Sequence, residues 1–356
     1  MKLFNPVLIL LFSAILFAGC GGIRTPQAKN EVRQLVDTVG FAHYPWQMDS
    51  LFARMERAGW HKSDGEPWKL AICPHDDYTY VGTLYPSLLQ NVKAPTILLI
   101  GVAHKAAKLG IENKLVFDSY QFWKGPWKNV PVSPARKELY RLLGSDYAMV
   151  SDTLQSVEHS LEAMIPFLQY FNRDISIIPI LVPAMSPERM DECGKALAGA
   201  LGKIAEKNGW EWGRDFAIVV TTDAVHYGNE DWGGLNYAFF GCDTIGNLKA
   251  QAYESEIISN CLTGKIMQNN FRLFSSYTLN SDNYKDYKWT WCGRYCVPVA
   301  LYASWYLNDT QPIYGDLTGY STSITSEHIH VDDLGMGRTA IATPCHWVGY
   351  AAIGYR

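Results

Sequence analysis

The chain has 356 residues, a formal net charge of −4, 48% hydrophobic residues and 19% charged ones. That length suits one large α/β domain or two small ones. The mild acidity and the lack of any Lys/Arg cluster exclude nucleic acid as a partner, and nothing after residue 20 approaches a membrane span.

The first residues form a separate unit. Lys2 supplies a short positive start, and residues 7–19, VLILLFSAILFAG, are an apolar run too short for a bilayer-spanning helix, which needs about 20 residues. Cys20 follows Ala18 and Gly19 directly, so residues 1–19 read as a secretory signal ending in a lipobox, although Phe17 is unusual three places before the cysteine. On this reading Cys20 is the acylated first residue of a bacterial lipoprotein. The domain is then held at the cell envelope, at the outer membrane, through its lipid anchor only. A plain signal peptide or a buried N-terminal helix is the simpler alternative. Gly21 and Gly22 open a tether assigned to residues 20–40, and residues 41–356 are read as a single α/β domain. Seven cysteines remain: Cys73, Cys193, Cys242, Cys261, Cys292, Cys296 and Cys345. An odd number cannot all pair within the chain. In an oxidising compartment at least one stays a thiol for another reason, such as metal ligation or burial.

Strands and helices alternate along the chain. KLAIC (69–73), TILLIG (96–101), ISIIPILV (175–182) and FAIVVTT (216–222) are apolar, β-branched runs suited to strands covered on both faces. Between them, SPARKELYRLL (133–143) and the segment 186–209 each begin with the Ser-Pro signal of a helix start, and the latter ends at Gly209. EHSLEAMIPFLQYF (158–171) carries a helical stripe that Pro166 is expected to kink, and residues 243–263 form a further helix. The pattern predicts a three-layer α/β fold, with a mixed or largely parallel central sheet and helices on both faces.

In such sheets ligands bind beyond the carboxyl ends of parallel strands. His75 follows the first strand in PHDDY, His104 follows the second in GVAHK, and Asp223 and His226 follow a later one in TTDAVHYG. If these strands are parallel neighbours the imidazoles converge, and histidines with a nearby carboxylate suit a transition metal. Each residue also has a plainer reading. A histidine after a strand is commonly a hydrogen-bonded turn residue, Asp76 and Asp77 are ordinary turn residues, and Asp223 is a helix cap. Glu158 and His159 are either a helix N-terminus or a proton carrier with its orienting partner. In WTWCGRYC (289–296), Cys292 and Cys296 are small core residues or a disulfide; alternatively Cys292 is a thiolate ligand and Arg294 an anion contact. His328 and His330, on one face if extended, are a second metal site or an exposed pair. The tryptophans at 123, 127, 289 and 291 line a pocket or anchor loops.

These segments together resemble the Memo family, also called AmmeMemoRadiSam system protein B, which is related in fold to class III extradiol dioxygenases. The resemblance rests on PHDDYTYVG (74–82), LLIGVAHK (98–105), EHSLEAMIPFLQYF (158–171), IIPILV (177–182), VVTTDAVHYG (219–228), WCGRYCVPVAL (291–301) and VGYAAIGY (348–355), in that order. It implies a mononuclear metal centre on His75, His104 and Cys292, with iron(II) first and copper second. It also implies a pocket holding Asp223, His226, Glu158 and His159 as catalytic candidates. His226 is then the proton-transfer residue and Asp223 its orienting partner. Tyr78 and Arg294 are the expected contacts to a small aromatic or anionic substrate. Asp76 and Asp77 depart from the Ala-Gly usual in the family, Ala103 stands where a polar residue often precedes the second histidine, and residues 324–347 look like an insertion. The expected protein is a lipid-anchored, dioxygenase-like oxidoreductase. The rival readings are a non-catalytic metal-binding, redox or partner-binding protein, and a metal-dependent hydrolase.

Overall fold

The computed structural model describes residues 31–356; the signal segment and Cys20 lie outside the described residues. In chain order the strands are β1 (Val32–Arg33), β2 (Leu70–Cys73), β3 (Thr96–Val102), β4 (Leu115–Phe117), β5 (Phe122–Trp123), β6 (Val130–Pro131), β7 (Ala148–Val150), β8 (Ser176–Val182), β9 (Phe216–Thr221), β10 (His226–Gly228), β11 (Gly264–Ile266), β12 (Ile313–Thr322) and β13 (His346–Tyr355). The main sheet runs β11-β12-β13-β2-β9-β3-β8-β4-β7, with β10 also paired to β13. Its centre, β2-β9-β3-β8, is parallel, and antiparallel strands flank it on both sides. The fold is therefore the expected mixed, largely parallel α/β sheet.

The four central strands match the apolar runs closely because every side chain but the half-buried Ser176 is covered on one face or the other. Leu70, Ile72, Leu98 and Ile100 join one core cluster; Ala71, Cys73, Ile97 and Leu99 join the other. This is the period-two alternation of a strand buried on both sides. Helices Pro187–Asn208 and Cys296–Leu307 pack together on the first face. A Cβ at Gly194 would lie 2.4 Å from Cβ of Tyr302, so their close approach requires glycine there. Helices Pro45–Arg57, Leu84–Leu89 and Met164–Phe171 contribute to the second face.

The Ser-Pro helix start at 186 is as expected: Oγ of Ser186 accepts from the N–H of Arg189 at 3.2 Å, and Gly209 ends the helix at φ +65°. Two expectations need correction. The helix expected over 158–171 covers only Met164–Phe171. Pro166 therefore sits in the first turn, where its missing N–H breaks no helical bond, and it causes no kink. The packed chain also begins before residue 41. Arg33 is buried over the Trp123 ring, paired with Glu162 and bonded to the carbonyls of Glu158 and Gln155. Glu162 accepts from the N–H groups of Val36 and Asp37. This segment braces the turn carrying Glu158 and His159 and is not a free tether.

Candidate metal centre

Strands β2, β9 and β3 are parallel neighbours, so their carboxyl ends share one edge of the sheet. His75 stands two residues beyond β2, Asp223 two beyond β9, and His104 two beyond β3. Each side chain is then aimed by a different hydrogen bond. The ring of His75, only 3% exposed, places Nδ1 2.9 Å from Oγ1 of Thr221, and its backbone N–H donates to Oδ1 of Asp223 at 2.9 Å. Nε2 then faces Sγ of Cys292 at 3.7 Å and Oδ2 of Asp223 at 3.5 Å.

Cys292 reaches this position because its turn packs onto the end of β9. The N–H of Gly293 donates to Oγ1 of Thr222 at 2.9 Å, and the N–H of Asp223 donates to Sγ of Cys292 at 3.1 Å. The flanking tryptophans are anchors and not a pocket wall. The indole N–H groups of Trp289 and Trp291 both donate to Oε1 of Glu254, whose Oε2 accepts from the N–H of Val225 at 3.1 Å. Burial, partly offset by these donors, raises the Glu254 carboxyl to about 7.

His104 is oriented by Glu158, through its backbone N–H at 2.6 Å and through Nδ1 at 2.8 Å. Glu158 also accepts from the N–H groups of His159 and Ser160. Burial alone would push this carboxyl up; the hydrogen bond from His104, the charges of His104 and His159, and the Ser160 N–H outweigh it and hold Glu158 at about 2. His159 stacks face to face on His104, with ring centroids 5.2 Å apart, and meets His75 edge-on at 6.1 Å.

Two overlapping donor groups result among the described residues: His75, His104 and His159, and His75, Asp223 and Cys292, each with ligand atoms within 4.8 Å of one another. The expected trio of His75, His104 and Cys292 is thus divided between two groups that share His75. The chemistry of these groups fits a metal ion. Burial, then His104, His159 and His226, push the His75 pKa down and keep the imidazole neutral, the form that donates a lone pair. Burial raises Cys292 and Asp223, with Asp223 adding to the first and Asp76 to the second. A bound cation would reverse both effects. The set contains imidazole, carboxylate and a soft thiolate donor.

Other expected residues fall in different places. His226 lies at the start of β10, but Asp223 does not orient it: its Nδ1 is 3.1 Å from the carbonyl of Thr290, because Asp223 is engaged with His75. Tyr78 is fully buried, donates to the carbonyl of Ala163 at 2.7 Å, and packs among Phe41, Tyr85 and Phe167; it is a core residue and not a substrate contact. Asp77 is structural, accepting from the N–H and hydroxyl of Thr339. Burial and then Asp76 raise its carboxyl to about 7. Asp76 accepts from the Tyr350 hydroxyl at 2.6 Å. His328 bonds the carbonyl of Ser323 and His330 lies beside Asp332 and Asp333; neither joins a metal-competent group among the described residues. Cys292 and Cys296 are both free thiols.

A cavity of about 440 Å³ opens beside His104 and Cys292, lined also by Ala106, Ile111, Pro183, Tyr287, Arg294 and Tyr295. The Arg294 guanidinium lies 3.4 Å from the Tyr287 ring centroid and 4.6 Å from that of Tyr295, held through Nη2 by the carbonyl of Lys285. Two larger hollows, along Pro187, Glu188 and Arg272, contain none of these groups.

The sequence is similar to those of known proteins. MEMO1 family proteins of Pyrobaculum aerophilum and Methanosarcina barkeri are 29% and 30% identical over 166 and 159 residues, covering 45% and 44% of this chain and 54% of each relative. One from Aquifex aeolicus is 26% identical over 187 residues, covering 52% of this chain and 64% of the relative. The chain thus matches a little over half the length of these relatives. The profile of the Memo-like protein family matches residues 38–336, which include every donor of both groups, and the chain belongs to that family.

Proposed function

We propose that the His75 centre binds a single transition-metal ion, iron(II) in the first instance and copper in the second, and acts with it on a small anionic or aromatic molecule in the adjoining cavity. The observation that carries this reading is the sharing of His75 by two donor groups, one fully buried and the other reaching the surface at His104, beside a cavity that Arg294 also lines. Such an ion would supply Lewis acidity and, if redox-active, access to O₂ chemistry. The protein's part is orientation. Thr221 and Glu158 fix the rings of His75 and His104 through Nδ1, leaving Nε2 for ligation. His226, with Nδ1 on the Thr290 carbonyl, keeps Nε2 as a proton acceptor. Arg294, backed by two tyrosine rings, offers a planar cation to a substrate carboxylate. Oxidation is preferred by analogy with the extradiol dioxygenase fold.

The burial of His75 and Cys292, 3% and 4% exposed, favours a second reading in which the ion is held without turnover. Metal analysis after anaerobic purification, followed by oxygen uptake with catechol carboxylates, separates the two. Bound metal with ring cleavage supports the first; bound metal without turnover supports the second. Hydrolysis without oxygen uptake would reassign the site as a metal hydrolase, and absence of metal would overturn all three. Export and lipid anchoring rest on residues 7–20. They predict a diacylglyceryl mass on Cys20 and release of the Cys20→Ser chain from membranes.

A further inference from the structure

Among the described residues, Cys73, Cys193, Cys261, Cys292 and Cys296 are buried, whereas Cys242 and Cys345 are half-buried. These two meet at Asn229. Sγ of Cys242 lies 3.6 Å from Oδ1 of Asn229, and the N–H of Asn229 donates to the carbonyl of Cys345 at 3.0 Å. The Cys242 thiol is also the first of the groups that shift the Cys345 thiol, ahead of burial. One further residue bridges the two segments. Asn247 donates through Nδ2 to the carbonyl of Cys242 at 3.3 Å and accepts at Oδ1 from the indole N–H of Trp347, two residues past Cys345, at 2.9 Å. Gly228 makes the approach sterically allowed: at φ +122°, a Cβ would lie 1.7 Å from the Cys345 carbonyl oxygen.

The chain between the end of β10 and Cys242 carries Trp232. Its ring stacks on His346, with centroids 4.1 Å apart, and meets the His226 ring edge-on at 5.3 Å. Whatever fixes Cys242 to Cys345 therefore closes residues 229–241 at their base and holds Trp232 against His226.

We propose that Cys242 and Cys345 form a reversible disulfide that clasps the 229–241 segment over His226. With a small disulfide oxidant, one cysteine thiolate attacks the oxidant's S–S bond and releases one thiol. The second thiolate attacks the resulting mixed disulfide and releases the other. One S–S bond forms in the protein and one is broken in the oxidant. Two protons leave the cysteines, and the oxidant is reduced to two thiols. The hydrogen bond from Cys242 and then burial hold the Cys345 thiol at about 11, so the exchange quickens as pH rises.

The test uses the full chain incubated with oxidised glutathione, denatured, alkylated without reduction and mapped by peptide mass. The expected product is a peptide linking Cys242 to Cys345, with the five buried cysteines alkylated. Chymotryptic cleavage at Trp232, Leu235, Tyr237, Phe239 and Phe240 in the folded protein should slow several-fold on oxidation, and neither Cys242→Ser nor Cys345→Ser should show that slowing. Cross-linking two residues 103 apart in sequence should also raise Tm by about 7 °C, reversibly with dithiothreitol. Both cysteines alkylated after oxidation, or either one linked elsewhere, would overturn the disulfide. An unchanged cleavage rate in the linked protein would overturn the clasp.

Discussion

Glu158 grips His104 at two points, the backbone N–H at 2.6 Å and Nδ1 at 2.8 Å, so one carboxylate fixes both the position of the residue and the rotation of its ring. Replacing it with glutamine keeps the shape but loses the charge that favours an Nδ1–H tautomer. Metal affinity of Glu158→Gln is expected to fall about 10- to 100-fold, measured by competition with a chelator. The metal-free protein supplies a pH signature. The folded pKa is depressed, so the stabilisation from this carboxylate is fully present above about 4.5 and disappears as pH falls to about 2. The stability difference between wild type and variant in urea should therefore shrink across that window. A difference independent of pH there would show that the charge is not what Glu158 contributes.

His75 belongs to both donor groups, whereas His104, His159, Asp223 and Cys292 each belong to one. His75→Ala is thus expected to abolish stoichiometric binding, and Cys292→Ser or His104→Ala to weaken it at least about 10-fold. Cobalt(II) substitution distinguishes the groups spectroscopically. A thiolate charge-transfer band present in wild type and His159→Ala, and lost in Cys292→Ser, is the expected result. No such band in wild type would place the ion on the three histidines.

Much of this site was legible because a parallel strand announces its own carboxyl end. LAIC running into Pro74 and His75, and TILLIGV into Ala103 and His104, locate two of the metal-competent side chains without any tertiary information. What the pattern does not carry is which hydrogen bond a polar residue makes after folding. Asp223 reads equally well as a cap or as a partner of His226, and the structure gives it to His75. Tyr78 lies beside two acidic residues in sequence, yet the helix Tyr78–Val81 turns it into the core. Thr221, Thr290 and Glu254 escape sequence reading altogether, since a threonine at a strand end or in a loop and a glutamate within a helix have no distinguishing signature. Arg33 escapes because its partner Glu162 is 129 residues away.

Glu254 lies behind the turn that presents Cys292, holding both tryptophan indoles. Its carboxyl is raised to about 7, so the fold favours the neutral form: that stabilisation is present below about 4.5 and lost as pH rises through about 7. Glu254→Gln cannot ionise, and it turns an N–H toward the N–H of Val225. It is expected to be less stable than wild type by about 1–3 kcal/mol at pH 4.5, with the gap narrowing toward pH 7. Urea titrations at stepped pH measure it. A gap that widens with pH would mean that the carboxylate is charged in the folded protein.

Gly293 tests whether the position of Cys292 matters independently of its chemistry. A Cβ there would lie 2.4 Å from both Cβ and Oγ1 of Thr222 and 3.2 Å from Sγ of Cys296. In Gly293→Ala either Thr222 gives up its bond to the residue 293 N–H, or the whole turn backs away from β9. The second course carries Sγ of Cys292 away from Nε2 of His75, now 3.7 Å distant. Overpacking of this kind costs about 1–3 kcal/mol, which a protein of this size survives, so the variant should fold with a Tm lower by a few degrees. Its metal affinity should nevertheless fall about 10-fold or more, as expected when a ligand is displaced. Adding Thr222→Gly removes the two closest contacts and should recover part of that loss. Wild-type affinity in Gly293→Ala, with the Cys292 turn displaced, would remove the thiolate from the donor set and leave the three histidines to hold the ion.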